Sequence, residues 1–147
     1  MVPMDGGPAV TRELGGPEAL QRLGSVSYGR VVFTQRALPA IRPVNCMLDR
    51  GRVLICSQES LALAEAARSG SVLAFQADGI DPARRTAWSV VVTGLSSLVG
   101  DPAEAARYRR ALGAWLGAEP GEIIRIDPEL IAGFDLHPAD LHPADAG

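Results

Sequence analysis

"IRPVNCML", residues 41–48, decides how this chain is read. Ile41, Val44, Cys46, Met47 and Leu48 are apolar, and Asp49-Arg50-Gly51 follows like a hairpin turn, so the stretch reads as a β-strand. Yet Pro43 and Asn45 sit in its middle. Proline gives no N–H to a ladder and belongs at edges or bulges, and asparagine is depleted in strands. One reading is that Pro43 marks a bulge and Asn45 faces a solvent channel.

Working outward, residues 29–34 (GRVVFT) and 52–57 (RVLICS) predict the strands on either side, with a turn at 35–39. A three-residue loop with Gly51 in the left-handed conformation closes the second hairpin. That register places Asn45 opposite Ile55, Val44 opposite Cys56 and Pro43 opposite Ser57. Both faces of the hairpin then carry apolar side chains, as though each were covered.

Further along, residues 15–23 predict a short helix with Pro17 in its first turn. Residues 60–70 predict an alanine-rich helix capped by Ser60 and stopped at Gly70. Strands follow at 71–78 and 86–99 around a loop at 79–85, with Gly94 marking a bulge or corner. A helix over 101–117 begins at Asp101-Pro102 and ends at Gly117; its arginines 107, 109 and 110 suit a solvated face paired with Glu104. A last strand is expected at 121–127, then an extended piece at 128–136. The chain divides into a flexible segment 1–14, one domain 15–136, and a mobile tail 137–147 made of the repeat "LHPADLHPAD". The domain is mainly β: an antiparallel barrel of about six strands with helices.

Composition narrows the function. The chain has 147 residues and a net charge of −3, which argues against nucleic-acid binding. All 14 basic residues are arginine, so an anion site must use arginine, hydroxyls or backbone N–H groups. No apolar run approaches a membrane span and residues 1–7 lack the pattern of a signal peptide, so a cytoplasmic protein is expected. Cys46 and Cys56 form no secreted disulfide framework and suit small core hydrophobes. His137 and His142, both in the repeat, are too few for a metal site. No motif for nucleophilic catalysis or phosphate-loop binding is present.

What remains is an ordered series: "GRVVFT", "IRPVNCML" with its glycine hairpin, "RVLICS", a helix, "VLAFQAD", a "DP" loop and "WSVVVTG". From about Leu20 to Leu136 this resembles the pyridoxamine 5′-phosphate oxidase-like superfamily, the FMN-binding split barrels. The resemblance implies a six-stranded Greek-key split barrel and a homodimer with a flavin in the groove between subunits. It implies that Ile41, Arg42, Pro43, Val44, Asn45 and Cys46 run beside the flavin, with their backbone bonded to its ring. A proline is tolerated on such a strand, and Asn45 offers the ring edge a donor and an acceptor. Cys56 and Ser57 match a polar pair near the ribityl-phosphate, with Ser60 and the following helix N-terminus able to cradle an anion. Ser89 matches a flavin-bonding position, from the second subunit on one arrangement. Trp88 either covers a ring face or anchors the core or the dimer interface.

The series departs from the family in one place. Ala62 and Leu63 stand where its flavin-binding members carry the basic pair that grips the phosphate. The function the resemblance implies is a flavin-dependent oxidoreductase using FMN for hydride transfer on a small molecule. The alternatives are a non-catalytic dimeric relative without the cofactor, or a deazaflavin or haem in the same groove.

Overall fold

The computed structural model describes residues 9–58, 60–113 and 121–139. Eight strands and three helices follow in the order β1 (Ala9–Glu13), α1 (Gly16–Leu23), β2 (Tyr28–Gln35), β3 (Leu38–Asp49), β4 (Arg52–Cys56), α2 (Leu61–Arg68), β5 (Val72–Asp81), β6 (Thr86–Leu98), α3 (Pro102–Leu112), β7 (Ile123–Ile126) and β8 (Leu130–Pro138). All pairings are antiparallel, in the order β1-β8-β6-β5-β2-β3-β4-β7, and β6 also pairs with β7. That last pairing closes β2 to β7 into the expected six-stranded barrel, with β8 and β1 added as a flap on β6.

Alternation builds the barrel interior. Val31 and Phe33 of β2, Leu73 and Phe75 of β5, and Val90 and Val92 of β6 point inward and are buried with Val53, Ile55, Ile124 and Ile126. The α2 helix lays Leu63 and Ala67 onto this core, and Ser60 caps it by accepting the Leu63 N–H at 3.2 Å. Gly94 is the corner of β6. A Cβ there would lie 1.6 Å from the Asp127 carbonyl oxygen, because the chain between β7 and β8 crosses directly over it. At this residue β6 changes partner, from β8 (Thr93 opposite Leu130) to β7 (Ser96 opposite Ile126).

Several boundaries differ from expectation. The 49–51 hairpin is a two-residue turn: Arg50 and Gly51 both have positive φ (54° and 76°), and Asp49 pairs with Arg52. Cys46 therefore faces Ile55, one residue away from the expected register. The 35–39 turn shrinks likewise to Arg36 and Ala37, both at positive φ, and strand pairing runs from Gln35 opposite Leu38 onward. Such turns match the twist of paired strands, so the hairpins extend further than a longer loop would let them. Part of the 79–85 loop is strand: β5 reaches Asp81, which pairs with Thr86, and residues 82–85 form the turn. Residues 9–13 form β1 rather than a flexible lead-in, and His137 and Pro138 belong to β8 rather than to a tail. The rest of the repeat, from residue 140, lies outside the described residues.

The α3 helix ends at Leu112 with Gly113 at φ 74°, and the expected continuation through 114–117 lies outside the described residues. It covers the outer side of β4, burying Leu54, Cys56 and Ile123 against Ala105, Tyr108 and Leu112. Its polar groups hold it there: the Tyr108 hydroxyl donates to Asp49 Oδ2 at 2.5 Å, Arg125 pairs with Glu104, and Arg109 Nε donates to the Gly121 carbonyl at 3.2 Å. Glu104 and Arg109 thus fasten the helix to the sheet instead of pairing along a solvated face.

Candidate functional site

The first half of β3 has one paired edge and one open edge. Along residues 38–45 it pairs only with β2, and its pairing with β4 begins at Cys46. Cys46 N–H donates to the Ser27 carbonyl at 2.9 Å, which fixes the alternation of the β2–β3 ladder. Val44, Arg42 and Ala40 then bond to β2. Pro39, Ile41, Pro43 and Asn45 occupy the alternate positions, with backbone groups turned away from it. Both prolines therefore lack an N–H only where no strand needs one. From Pro39 to Pro43 the open edge offers one N–H, that of Ile41, and the carbonyls of residues 39, 41 and 43. No bulge is required.

Side chains along this edge alternate. Arg42 and Val44 lie on the core-facing side, where Val44 is buried and Arg42, opposite Val31, is exposed. Ile41 and Pro43 lie on the outer face, and Ile41 is 65% exposed. Asn45 is buried, and its Nδ2 donates to the Leu112 carbonyl at 2.9 Å. Its Oδ1 has no hydrogen-bond partner among the described residues. The amide donor thus serves the end of α3, and the buried Oδ1 acceptor is left over. Cys46 is buried in the barrel core and Cys56 beneath α3, and burial pushes each thiol up to about 11.

Ser57 and Ser60 stand where β4 ends and α2 begins. Ser57 Oγ accepts the Glu122 N–H at 2.9 Å, and Ser60 Oγ is taken by the helix cap. Leu63 is fully buried in the barrel core, and Ala62 packs against it.

Trp88 and Ser89 point to opposite faces. Trp88 lies on the core side over Gly79, where a Cβ would come within 2.3 Å of its Nε1. That favours the core-anchor role over a ring cover. Ser89 lies on the outer face in a polar cluster that the sequence reading missed. Gln76 Nε2 donates to Asp78 Oδ2 at 3.0 Å and to Ser89 Oγ at 3.4 Å. Arg30 Nη1 pairs with Asp78 Oδ1 at 3.2 Å, and its guanidinium sits 5.7 Å from the Tyr28 ring. The signal was present: Arg30, Gln76 and Asp78 alternate with Val31, Phe75 and Ala77, so they share the face away from the core.

The register spreads this outer face across five strands. Pro43, Arg30, Gln76, Val91 and Ala132 form one row; Ile41, Val32, Ala74, Thr93 and Leu130 form the next. Phe134, opposite Ser89, is 40% exposed and Leu130 70%. Two strands separate Ser89 from the open edge of β3, a distance of roughly 14 Å at about 4.8 Å per step. One chain does not bring the two together.

Among the described residues, no group of three or more His, Cys, Asp or Glu could hold a metal ion. No helix among them is long and apolar enough to cross a membrane.

Known proteins share this arrangement. The family model described as pyridoxamine 5′-phosphate oxidase matches residues 17–134. The uncharacterized Mycobacterium tuberculosis protein Rv0080 is 47% identical over 128 residues, which cover 84% of each chain. Among solved structures, an FAD-binding protein from Mycobacterium smegmatis superposes with a TM-score of 0.68 at 30% identity, covering 85% of this chain and 98% of its own. A Corynebacterium glutamicum protein named as a candidate pyridoxamine 5′-phosphate oxidase gives 0.73 at 31% identity, covering 89% and 96%. With the closed barrel, the open β3 edge and a family match over most of its length, the chain belongs to the pyridoxamine 5′-phosphate oxidase family and has the flavin-binding split-barrel fold.

Proposed function

We propose that this protein is a cytoplasmic homodimer that binds a flavin ring along the open edge of β3 and acts as an oxidoreductase on a small molecule. The observation that carries this reading is the edge itself. A strand inside a barrel leaves the N–H of Ile41 and the carbonyls of residues 39, 41 and 43 without a strand partner. An isoalloxazine ring presents acceptors and one N–H along one side, so it can accept the Ile41 N–H and give its own N–H to one of these carbonyls. The M. smegmatis relative is an FAD-binding protein, which supports a flavin here.

A second copy follows from the spacing. Ser89 lies two strands away from the β3 edge, so a ring there meets both only if Ser89 comes from the other subunit. The exposed outer face, with Ile41, Leu130 and Phe134, is the apolar surface that a two-fold copy would cover. The outer side of β4 plays no part in that contact, because α3 of the same chain already buries it.

When bound, the flavin supplies the hydride chemistry. The chain orients the ring through the β3 backbone, and the paired sheets exclude water from it. No protein nucleophile is required, which suits two cysteines held protonated in apolar surroundings. Ser57 and Ser60 accept backbone N–H groups at the entry to α2, and no cation stands at Ala62 or Leu63 on its first turn.

Purified protein is incubated with riboflavin, desalted, and examined by absorbance and light scattering. The reading expects a retained flavin band and a mass about twice the 15.4 kDa chain. A colourless protein supports the non-catalytic, cofactor-free relative instead, and a monomer removes the two-chain groove.

A further inference from the structure

Among the described residues, no helix covers the outer face of the β3-β2-β5-β6-β8 sheet. Helices α1 and α2 pack on the core side, and α3 covers β4. The register draws one diagonal across this bare face. Arg30 is opposite Pro43, one outward row on from Ile41, and opposite Gln76, one outward row before Asp78. Asp78 is in turn opposite Ser89, one outward row before Ala87. Each step from Ile41 to Arg30, to Asp78 and to Ala87 therefore moves one strand and one row. The line is charged at its centre and apolar at both ends. Ile41 and Ile80, the neighbour of Ala87 on β5, are exposed.

The central pair has bonding capacity left. Arg30 reaches Asp78 Oδ1 at 3.2 Å and Gln76 Oε1 at 3.5 Å, both through Nη1. Its Nε and Nη2 donate to no described residue, although a guanidinium carries five N–H donors. Both side chains are partly exposed, and an ion pair so placed contributes little to the stability of its own chain. A face that meets its own copy must be self-complementary, which a cation and an anion side by side provide. A two-fold axis lying in the face, crossing the diagonal midway between Arg30 and Asp78, brings Arg30 onto the partner's Asp78 and Asp78 onto the partner's Arg30. The same rotation sets Ile41 against the partner's Ala87, at the other apolar end.

We infer that Arg30 and Asp78 form a reciprocal ion pair at the two-fold axis of a homodimer and select a second copy of this chain as the partner. Ile41, Ile80 and Ala87 are the apolar ends of that contact. This rests on the two-copy reading above and adds to it the axis and the residues that set pairing.

Arg30→Asp and Asp78→Arg are made singly and together in the full chain. Masses are read by light scattering, and circular dichroism confirms the fold. The parent is expected as a dimer. Each single variant is expected as a monomer, with a dimer dissociation constant raised at least about a hundredfold, because like charges then meet at both contacts across the axis. An equimolar mixture of the two single variants is expected to return to a dimer, since opposite charges then meet at both contacts. A pair that acts only within its own chain gives no such rescue. Single variants that dimerise like the parent, or that stay monomeric when mixed, overturn the inference and leave the two-copy reading intact. A monomeric parent overturns both. The double variant keeps the pair within its chain, so it tests the contact even where a single reversal unfolds the protein. It is expected to dimerise with itself and to be excluded from dimers with a tagged parent chain after co-incubation and capture on the tag. Its failure to dimerise, or its free exchange into parent dimers, overturns the inference.

Discussion

Asn45 donates its side-chain amide to the carbonyl of Leu112, 2.9 Å away, and so ties the middle of β3 to the last residue of α3. The bond is buried, and it lies where β3 leaves β2 and takes up β4 as its partner. An asparagine in a strand, anomalous in the sequence, is explained by a helix terminus that needs a donor. Replacing it with alanine leaves that carbonyl unpaired, a loss of about 1–3 kcal/mol. Asn45→Ala should therefore lower the urea midpoint clearly while changing riboflavin affinity less than about threefold, well under the roughly tenfold worth of one good hydrogen bond. Lost affinity with unchanged stability would return Asn45 to the flavin edge.

The two thiols give a simpler check on the packing. Burial holds Cys46 and Cys56 near 11, so at pH 8 only about one thiol in a thousand is ionised, and the thiolate is the reactive form. An aromatic disulfide reagent should find almost no reactive thiol in the native protein and both after unfolding in guanidinium. Reaction of either cysteine within minutes under native conditions would contradict its placement in the barrel core or beneath α3.

A pH effect follows from the other end of the α3 contact. The Tyr108 hydroxyl donates to Asp49 and holds its carboxyl below the usual value, aided by the charges of Arg50, Arg107 and Arg52. A carboxyl whose folded value is depressed favours the folded state when ionised. Its contribution is present above the unfolded value, near pH 4, and is lost as pH falls through the lower folded one. Tyr108→Phe keeps the ring and removes the donor. The urea midpoints of the variant and the parent should differ at pH 7, and the gap should shrink progressively as pH falls below about 4; a gap that stays constant with pH would exclude the Asp49 link.

The order of the barrel strands was legible because alternation along "GRVVFT", "VLAFQAD" and "WSVVV" assigns a core side to each, and turn residues mark where one ends. Pro43 left a bulge and an open edge equally readable, and the edge came only from the resemblance; the β2–β3 register shows that no bulge is needed. The register of the 49–51 hairpin was not legible. Asp49-Arg50-Gly51 suits a three-residue loop as well as a two-residue turn, and positive φ at Arg50 is not written in an arginine. What covers β4 was not legible either. Apolar residues on both faces report that each is buried, but not whether a helix of the same chain or a second chain does the burying; α3 covers Leu54 and Cys56. The direction of Asn45 escaped for a related reason, since its partner is 67 residues away. The Arg30–Gln76–Asp78–Ser89 cluster could have been found by extending the alternation to the outward positions.

The claim that the open edge of β3 holds the flavin ring is tested most directly at Ile41, the one residue between Pro39 and Pro43 that gives that edge an N–H. Ile41→Pro removes this donor without breaking a bond to β2, since its backbone groups face away from that strand, as those of Pro39 and Pro43 already do. The measurement is the riboflavin dissociation constant of Ile41→Pro against the parent, by fluorescence titration, with circular dichroism confirming the fold. The account predicts affinity weakened by about tenfold or more, the loss of one hydrogen bond and its geometry. A folded Ile41→Pro protein that binds riboflavin as tightly as the parent would contradict it.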